Sequence, residues 1–572
     1  MRTIWMLALG LMVPGLLPGQ RSDTDIATGL RRHLTALAPF GASGAVVLRR
    51  GDSVIFRGGF GEANVASHIP MTVDAGVDIA SMSKQVTATA VVRLIAAGTI
   101  HGSDSIGTWF PDVPADKAPI TIAQLLLHRS GLPQFVIEGN DFTVISRDSM
   151  QHAILGAALE FPPGTDENYS DAGYTLLAMI LERQLGAPWE EIAEQRLFAP
   201  MSLIHTSIYA TARTRARDDF AHGYLAADDH GTPRDYVATT NWWGLKGAGG
   251  VLSSADDLAN WEVRLGATLG GPALDSLLRV RRGSDGVGES YYGTVTTLPS
   301  GERAHVRTGA QDFGFSGGVI RYATGGIVAV VVLNRQPEGM DISMIRDALL
   351  RDIDAAIFDS LPTPAPSVTD VPDAARLAGV YQFPDSSLLM VSAVEGKLLM
   401  VPRGALATAA IASSADDSRY EAADRRAQAI VAAVCAGDSV TVGRYLSQSR
   451  SLPGYMRYIQ QNGCAGDRSA IQVLGTLPRW YASSNRDWLV TLMERPGAEP
   501  ARFRFEWTDS ATVGALGGSG IAEPEVRFGA GPDGRLIGYH LGIRAPIMLR
   551  ADRVAGTLEF AGVPGILARK QR

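Results

Sequence analysis

The chain has 572 residues, with 52 basic against 59 acidic side chains, a net charge of −7, 46% hydrophobic residues and 19% charged ones. At roughly 100 to 200 residues per domain, that length calls for between about three and five domains. The composition is ordinary for a globular protein: it excludes a disordered chain and argues against a nucleic-acid binder, which needs a basic surface. Lysine is scarce, Lys84, Lys117, Lys246, Lys397 and Lys570 making up the whole set, so a lysine standing beside a candidate nucleophile is informative.

At the N-terminus, Arg2 precedes an apolar run from Ile4 to Leu17. The run is shorter than the about 20 residues of a membrane span and is broken by Pro14 and Gly15, so residues 1–20 are expected to be a signal peptide. A secreted or periplasmic protein without a stable membrane span follows from that reading. Residues 43 to 60 alternate apolar and polar side chains around Gly51-Asp52, the pattern of a β-hairpin. DIASMSKQVTATAVVRLIAAG then turns helical, with Val86, Ala90 and Leu94 on one face and Gly98 as the stop. Ser81 and Lys84 therefore stand at or just inside a helix N-terminus. Further helices are expected at Ile122 to Leu127 and from Gly173 to Leu185, and strands separated by glycine turns between Arg303 and Arg335. The proline-rich stretch 359–372 reads as a linker. Beyond it come short strands, a helical segment over 418–447, more strands from Ala470, and a hairpin around Asp533-Gly534. Cys435 and Cys464 either form a disulfide or remain two buried thiols, and the sequence leaves both open. CxxC and Cys/His ligand spacings are absent, so neither a metal nor another cofactor is expected.

The chemistry starts at Ser81-Met82-Ser83-Lys84. Residues three apart share a helix face, so the Lys84 amine can reach the Ser81 hydroxyl and take its proton during attack on a carbonyl. A helix N-terminus adds positive potential where an oxyanion would form. Downstream, FPPGTDENYSDAGYTLL carries Tyr169 and Asp171 on a turn-rich loop entering a helix, and Arg307-Thr308-Gly309-Ala310 closes a strand with a cation, a hydroxyl and a glycine that permits close backbone approach.

With LLLHRSGLP (Leu125 to Pro133) and GAGGVLSSADDLANW (Gly247 to Trp261), these motifs make the chain resemble the serine β-lactamase and penicillin-binding protein superfamily over about residues 24–358. The branch is the one with class C β-lactamases, D-alanyl-D-alanine carboxypeptidases, D-aminopeptidases and β-lactamase-like esterases. The resemblance implies an α+β fold, an antiparallel sheet flanked by helices plus a helical subdomain. It implies Ser81 as the acylated nucleophile, Lys84 as its activating amine, Tyr169 as proton relay, and Arg307, Thr308 and Gly309 as a substrate-binding third motif. The implied oxyanion hole is the backbone N–H of Ser81 and of Ala310. Whether Lys84 or Tyr169 is the base stays open. The implied partner is a small-molecule or peptide substrate, not a nucleic acid.

Two positions depart from the family pattern. Asp171 replaces the usual asparagine of the second motif; paired with Lys84 at about 4 Å it would contribute about 4 kcal/mol before desolvation and hold the lysine protonated. Arg307 replaces lysine or histidine and cannot give up a proton, so it is expected to act as an electrostatic clamp. Both favour an esterase or peptidase over a dedicated β-lactamase. Two competing readings stand beside this one: a catalytically silent binding protein, and an α/β-hydrolase whose nucleophile is Ser316 in Gly314-Phe315-Ser316-Gly317-Gly318. In the C-terminal third, 373–412 with 520–555 resembles a lipocalin-like β domain, and 417–512 an inserted domain similar to nuclear-transport-factor-2-like cones.

Overall fold

The computed structural model describes residues 21–571 except 138–141, 213–215, 226–227, 237–241, 285–286, 312, 337–341, 404, 413–417, 446–463, 465–471, 482–485, 496–500, 508–512, 518–525, 542–544 and 562–564. The expected signal peptide, residues 1–20, lies outside the described residues. Among the described residues, no helix is long and apolar enough to cross a membrane.

Eight described strands form one antiparallel sheet in the order 282–284, 287–289, 294–297, 303–310, 316–322, 327–333, 44–50 and 53–60. The first and last thirds of the hydrolase region thus meet where Gly44–Arg50, next to the edge strand Ser53–Phe60, pairs with Ile327–Leu333. Alternation explains how both faces are covered. Ala45, Val47, Val319 and Val330 face one core with the helices Lys84–Ala96, Asp171–Leu185 and Ala255–Leu269. Val46, Leu48, Ile320 and Val331 face the other, with the N-terminal helix Asp23–Leu37 and the helix Ile342–Phe358. A strand buried on both faces needs an unbroken apolar run, which IVAVVVL supplies.

The hairpin read at 43–60 is present, its turn made by Gly51 at φ +55. The helix expected from Gly173 begins two residues earlier, at Asp171, because Ser170 caps it by accepting the Gly173 N–H. The helical segment read over 418–447 is two helices, Ser418–Ala436 and Ser439–Tyr445. Gly437 at φ +77 ends the first, and Asp438 caps the second by accepting the Val440 and Thr441 N–H groups.

C-terminally, eight described strands close into a barrel running from Gly379–Gln382 through Leu567–Lys570, beyond the limit expected from the sequence. Its interior is filled by Leu389, Met400, Phe528, Phe560 and Ile411 of the helix Ala405–Ala412. Between its third and fourth strands lie a four-stranded sheet over 472–517 and the helix Ser418–Ala436, sharing a core of Ile430, Val434, Phe505 and Trp507. Cys435 and Cys464 form a disulfide there. The proline-rich stretch is packed rather than loose: Ala365 and Val371 are buried, and Thr369 exchanges backbone hydrogen bonds with Ala530 of the barrel. Barrel and hydrolase region meet where Tyr539 packs on Phe40 and Glu395 bridges Arg527 and Arg335.

Candidate active site

Ser81 sits in a 3-10 turn, Ala80–Ser83, that runs directly into the helix starting at Lys84. The i,i+3 spacing brings the two together: Lys84 Nζ donates to Ser81 Oγ at 3.3 Å and to the Ala248 carbonyl at 3.0 Å. Asp171, the first residue of its helix and favoured there by the macrodipole, pairs with Lys84 at 2.5 Å. Lys84 is 0% exposed. Burial acts to lower its pKa, but the Asp171 carboxylate, with Tyr169, outweighs it, and the net direction is upward. The ammonium is thereby held charged, as the Asp171 substitution led us to expect.

Tyr169 is 37% exposed, with its ring 4.7 Å from Lys84 Nζ. Its loop is pinned from beneath by His128 of the LLLHRSGLP segment. The His128 carbonyl accepts the Asn168 N–H, and His128 Nδ1 accepts the Ser170 N–H at 3.1 Å, so both neighbours of Tyr169 are fixed. The ring of His128 also packs on Tyr169 at 4.5 Å. Burial, with Lys84 and Arg307 nearby, pushes the His128 pKa well down and keeps the ring neutral, as an acceptor Nδ1 requires.

The strand Arg303–Ala310 passes the nucleophilic turn at close range. A Cβ on Gly309 would lie 2.6 Å from the Ile79 carbonyl oxygen and 2.9 Å from Ser81 N, so only glycine admits this approach. That contact brings Ala310 to the rim beside Ser81. Arg307 and Thr308 are on the same strand, but neither lines the cleft. The Arg307 side chain lies near His128 and Tyr174, on whose pKa values it acts, and its Nε and Nη2 are buried without a hydrogen-bond partner among the described residues.

The cleft, a cavity of ≈ 520 Å³, is lined by Ser81, Asp171 and Ala310 together with Asp78, Phe142, Tyr209 and Trp242. Trp242 belongs to the cleft wall, while Trp243 is in the core behind it. Ser316 is fully buried at the start of a strand, its hydroxyl donating to the Gly309 carbonyl at 2.7 Å. A nucleophile elbow requires a helix after the serine and exposure of its hydroxyl; neither holds, so the Ser316 reading is set aside. His305 Nε2 bonds the Leu278 carbonyl and is structural.

The family model described as Beta-lactamase matches residues 35–352, which contain every group just placed. The chain belongs to the beta-lactamase family. Members of this family are serine hydrolases. Among curated relatives, the chain is 27% identical over 230 residues to the D-alanyl-D-alanine-carboxypeptidase/endopeptidase AmpH of Escherichia coli (strain K12), covering 39% of this chain and 57% of that protein. It is 26% identical over 252 residues to a D-aminopeptidase of Brucella anthropi, covering 43% of this chain and 46% of that protein. The chain thus spans about half the length of these relatives. Among solved structures, EstCE1, a hydrolase with promiscuous acyltransferase activity, superposes with a TM-score of 0.50 at 20% identity, over 59% of this chain and 99% of that one, which speaks to the fold alone.

Proposed function

We propose that the protein is an exported serine hydrolase that cleaves ester or amide bonds, including those of D-amino-acid peptides, through a covalent acyl-enzyme on Ser81. The observation that carries the reading is the buried Lys84, bonded to Ser81 Oγ and to Asp171 at once. With Lys84 held as an ammonium, the phenolate of Tyr169 is the base. It takes the Ser81 hydroxyl proton as Oγ bonds to the substrate carbonyl carbon, and Lys84 stabilises the phenolate charge. The tetrahedral oxyanion accepts hydrogen bonds from the Ser81 and Ala310 N–H groups. As the carbonyl carbon's bond to the leaving group breaks, Tyr169 returns the proton to that alcohol or amine. Water then repeats the cycle, its proton passing to Tyr169 and back to Ser81 Oγ as the acid leaves.

The lining of the cleft bears on the substrate. Its described residues contribute two carboxylates, Asp78 and Asp171, several aromatic rings, and neither lysine nor arginine. With Asp171 paired to the Lys84 ammonium, Asp78 and the rings set the character of this wall, which suits a neutral ester or an acyl group bearing an ammonium. This supports an esterase or peptidase over a dedicated β-lactamase, and the D-aminopeptidase relative agrees in kind. The strand Arg303–Ala310 reaches the cleft through Ala310, and Arg307, near His128 and Tyr174, adds positive potential behind the Tyr169 loop.

The test is a comparison of kcat/KM for p-nitrophenyl esters, D-amino-acid p-nitroanilides and a chromogenic cephalosporin. Esters or D-amino-acid anilides should be turned over at least about tenfold faster than the cephalosporin. A cephalosporin preference would overturn the substrate assignment.

A further inference from the structure

The carboxylate of Asp78 has no part in the acyl transfer just described, yet it is 3% exposed in the wall of the cleft, three residues before Ser81. It ends the short strand Val77–Asp78, which pairs with Val251–Ser253. One oxygen, Oδ1, accepts the Ala80 N–H at 2.7 Å, and the other accepts the Tyr209 hydroxyl. Tyr209 is fixed in turn, its N–H donating to the Gly250 carbonyl and its ring standing edge-on to Trp242.

Ala80, immediately before Ser81, is at φ +48, in the left-handed region that a residue with a Cβ occupies only when its surroundings hold it there. The conformation of Ala80 sets where the next N–H points, and that N–H belongs to Ser81. Gly309 closes the other side of the turn against Ile79 and Ser81. Strain of this kind placed at the nucleophile, with a buried carboxylate bonded to the strained residue, is a device that stability alone does not require. Burial in fact pushes the Asp78 carboxyl up to about 6, so its ionised form is disfavoured by the site.

We propose that Asp78, held by Tyr209, is a positioning residue for the nucleophilic turn: by binding the Ala80 N–H it keeps Ala80 left-handed and so aims the Ser81 N–H and Oγ into the cleft. The proposal rests on Ser81 being the acylated residue. Its distinguishing feature is that glycine at position 80 should make the clamp dispensable, because glycine adopts this φ without penalty.

The experiment uses the full-length protein, a p-nitrophenyl ester and a fluorophosphonate probe. Asp78→Asn and Asp78→Ala are made alone and combined with Ala80→Gly, with folding checked by circular dichroism. Asp78→Ala, which removes the acceptor of the Ala80 N–H, should lower kcat by about 10- to 100-fold with KM little changed, and adding Ala80→Gly should recover most of the loss; Asp78→Asn, whose amide oxygen still accepts that N–H, should lose less. Tyr209→Phe should give a smaller loss, relieved in the same way. Should Asp78→Ala fail to fold, Asp78→Val, which also lacks the acceptor, and Tyr209→Phe carry the same comparison. A loss that Ala80→Gly does not relieve, a loss confined to KM, or no loss would overturn the proposal. If the parent reacts with the probe on Ser81 and the Asp78 variants react at the parent rate, this inference alone fails. If the parent does not react on Ser81, the functional reading falls with it.

Discussion

Asp171→Asn removes a carboxylate while leaving the shape of the site intact, and it separates the two candidate bases. At the observed 2.5 Å and an effective dielectric near 20, the Lys84–Asp171 attraction is about 6 to 7 kcal/mol before desolvation. Removing one partner of such a buried pair costs about 3 to 5 kcal/mol, because the other charge is left uncompensated. Lys84 then feels burial opposed by Tyr169 without the carboxylate, and it loses its proton at a lower pH than in the parent. The sign for stability follows: a lysine whose folded pKa is raised contributes stability through neutral pH, lost only as pH rises through that folded value, so the variant is less stable at pH 7. For catalysis, the ammonium beside Tyr169 disappears earlier, so the alkaline limb of kcat/KM for a p-nitrophenyl ester should move down by about one pH unit or more. The rate at pH 7 should fall by about tenfold. If instead the acid limb moves down and the neutral rate rises, neutral Lys84 is the base and the reasoning from the ion pair is refuted. A profile that overlays the parent would show that Asp171 does not sense the reaction.

Asp78→Asn should separate stability from activity in the opposite sense. The Asp78 carboxyl, pushed up to about 6, contributes stability below its unfolded value that is lost as pH rises through 6, so the variant should gain up to about 3 kcal/mol on the parent between pH 4 and 8 in urea melts. A constant difference across that range would contradict it. Gly309→Ala forces a Cβ against the Ile79 carbonyl and Ser81 N, and should cut kcat by about 100-fold or more; parent-like turnover would mean that the strand does not approach Ser81 so closely. Reducing the Cys435–Cys464 disulfide, which closes 29 residues, should lower stability by about 3 to 4 kcal/mol in the segment carrying it, seen by differential scanning calorimetry, and leave ester hydrolysis intact. Loss of hydrolysis on reduction would tie that segment to the active site.

Local spacing made part of this site legible. Ser81 and Lys84 are three residues apart on one helical turn, so periodicity sufficed to anticipate their places, whereas Asp171, expected in the loop before a helix from Gly173, is that helix's first residue. The pairing of Asp171 with Lys84 joins residues 87 positions apart, and it was anticipated only because the aspartate departs from the family pattern. Asp78 and Tyr209 escaped because their contact spans 131 residues and neither stands in a motif. The VDIAS segment did hold one signal: an acid two residues before an alanine, the spacing at which a carboxylate caps a backbone N–H. His128 stands just past the helix Ile122–Leu126 at a left-handed φ of +56, and its two bonds join it to a loop about 40 residues on, a contact that local spacing does not reveal. In the C-terminal third the resemblance to a lipocalin-like β domain implied the barrel. Its last two strands, Thr557–Phe560 and Leu567–Lys570, lie beyond the expected limit of 555; both are only four residues long, and the second pairs back to Gly379–Gln382 across nearly 190 residues.

The most direct test of the central claim is to react the intact protein with a fluorophosphonate and map the adduct by peptide mass spectrometry, in the parent, in Ser81→Ala and in Ser316→Ala. The account predicts one adduct on Ser81, its absence from Ser81→Ala together with an about 1000-fold or greater fall in ester hydrolysis, and unchanged labelling of Ser81 in Ser316→Ala. An adduct on Ser316, or hydrolysis that survives Ser81→Ala, would contradict it.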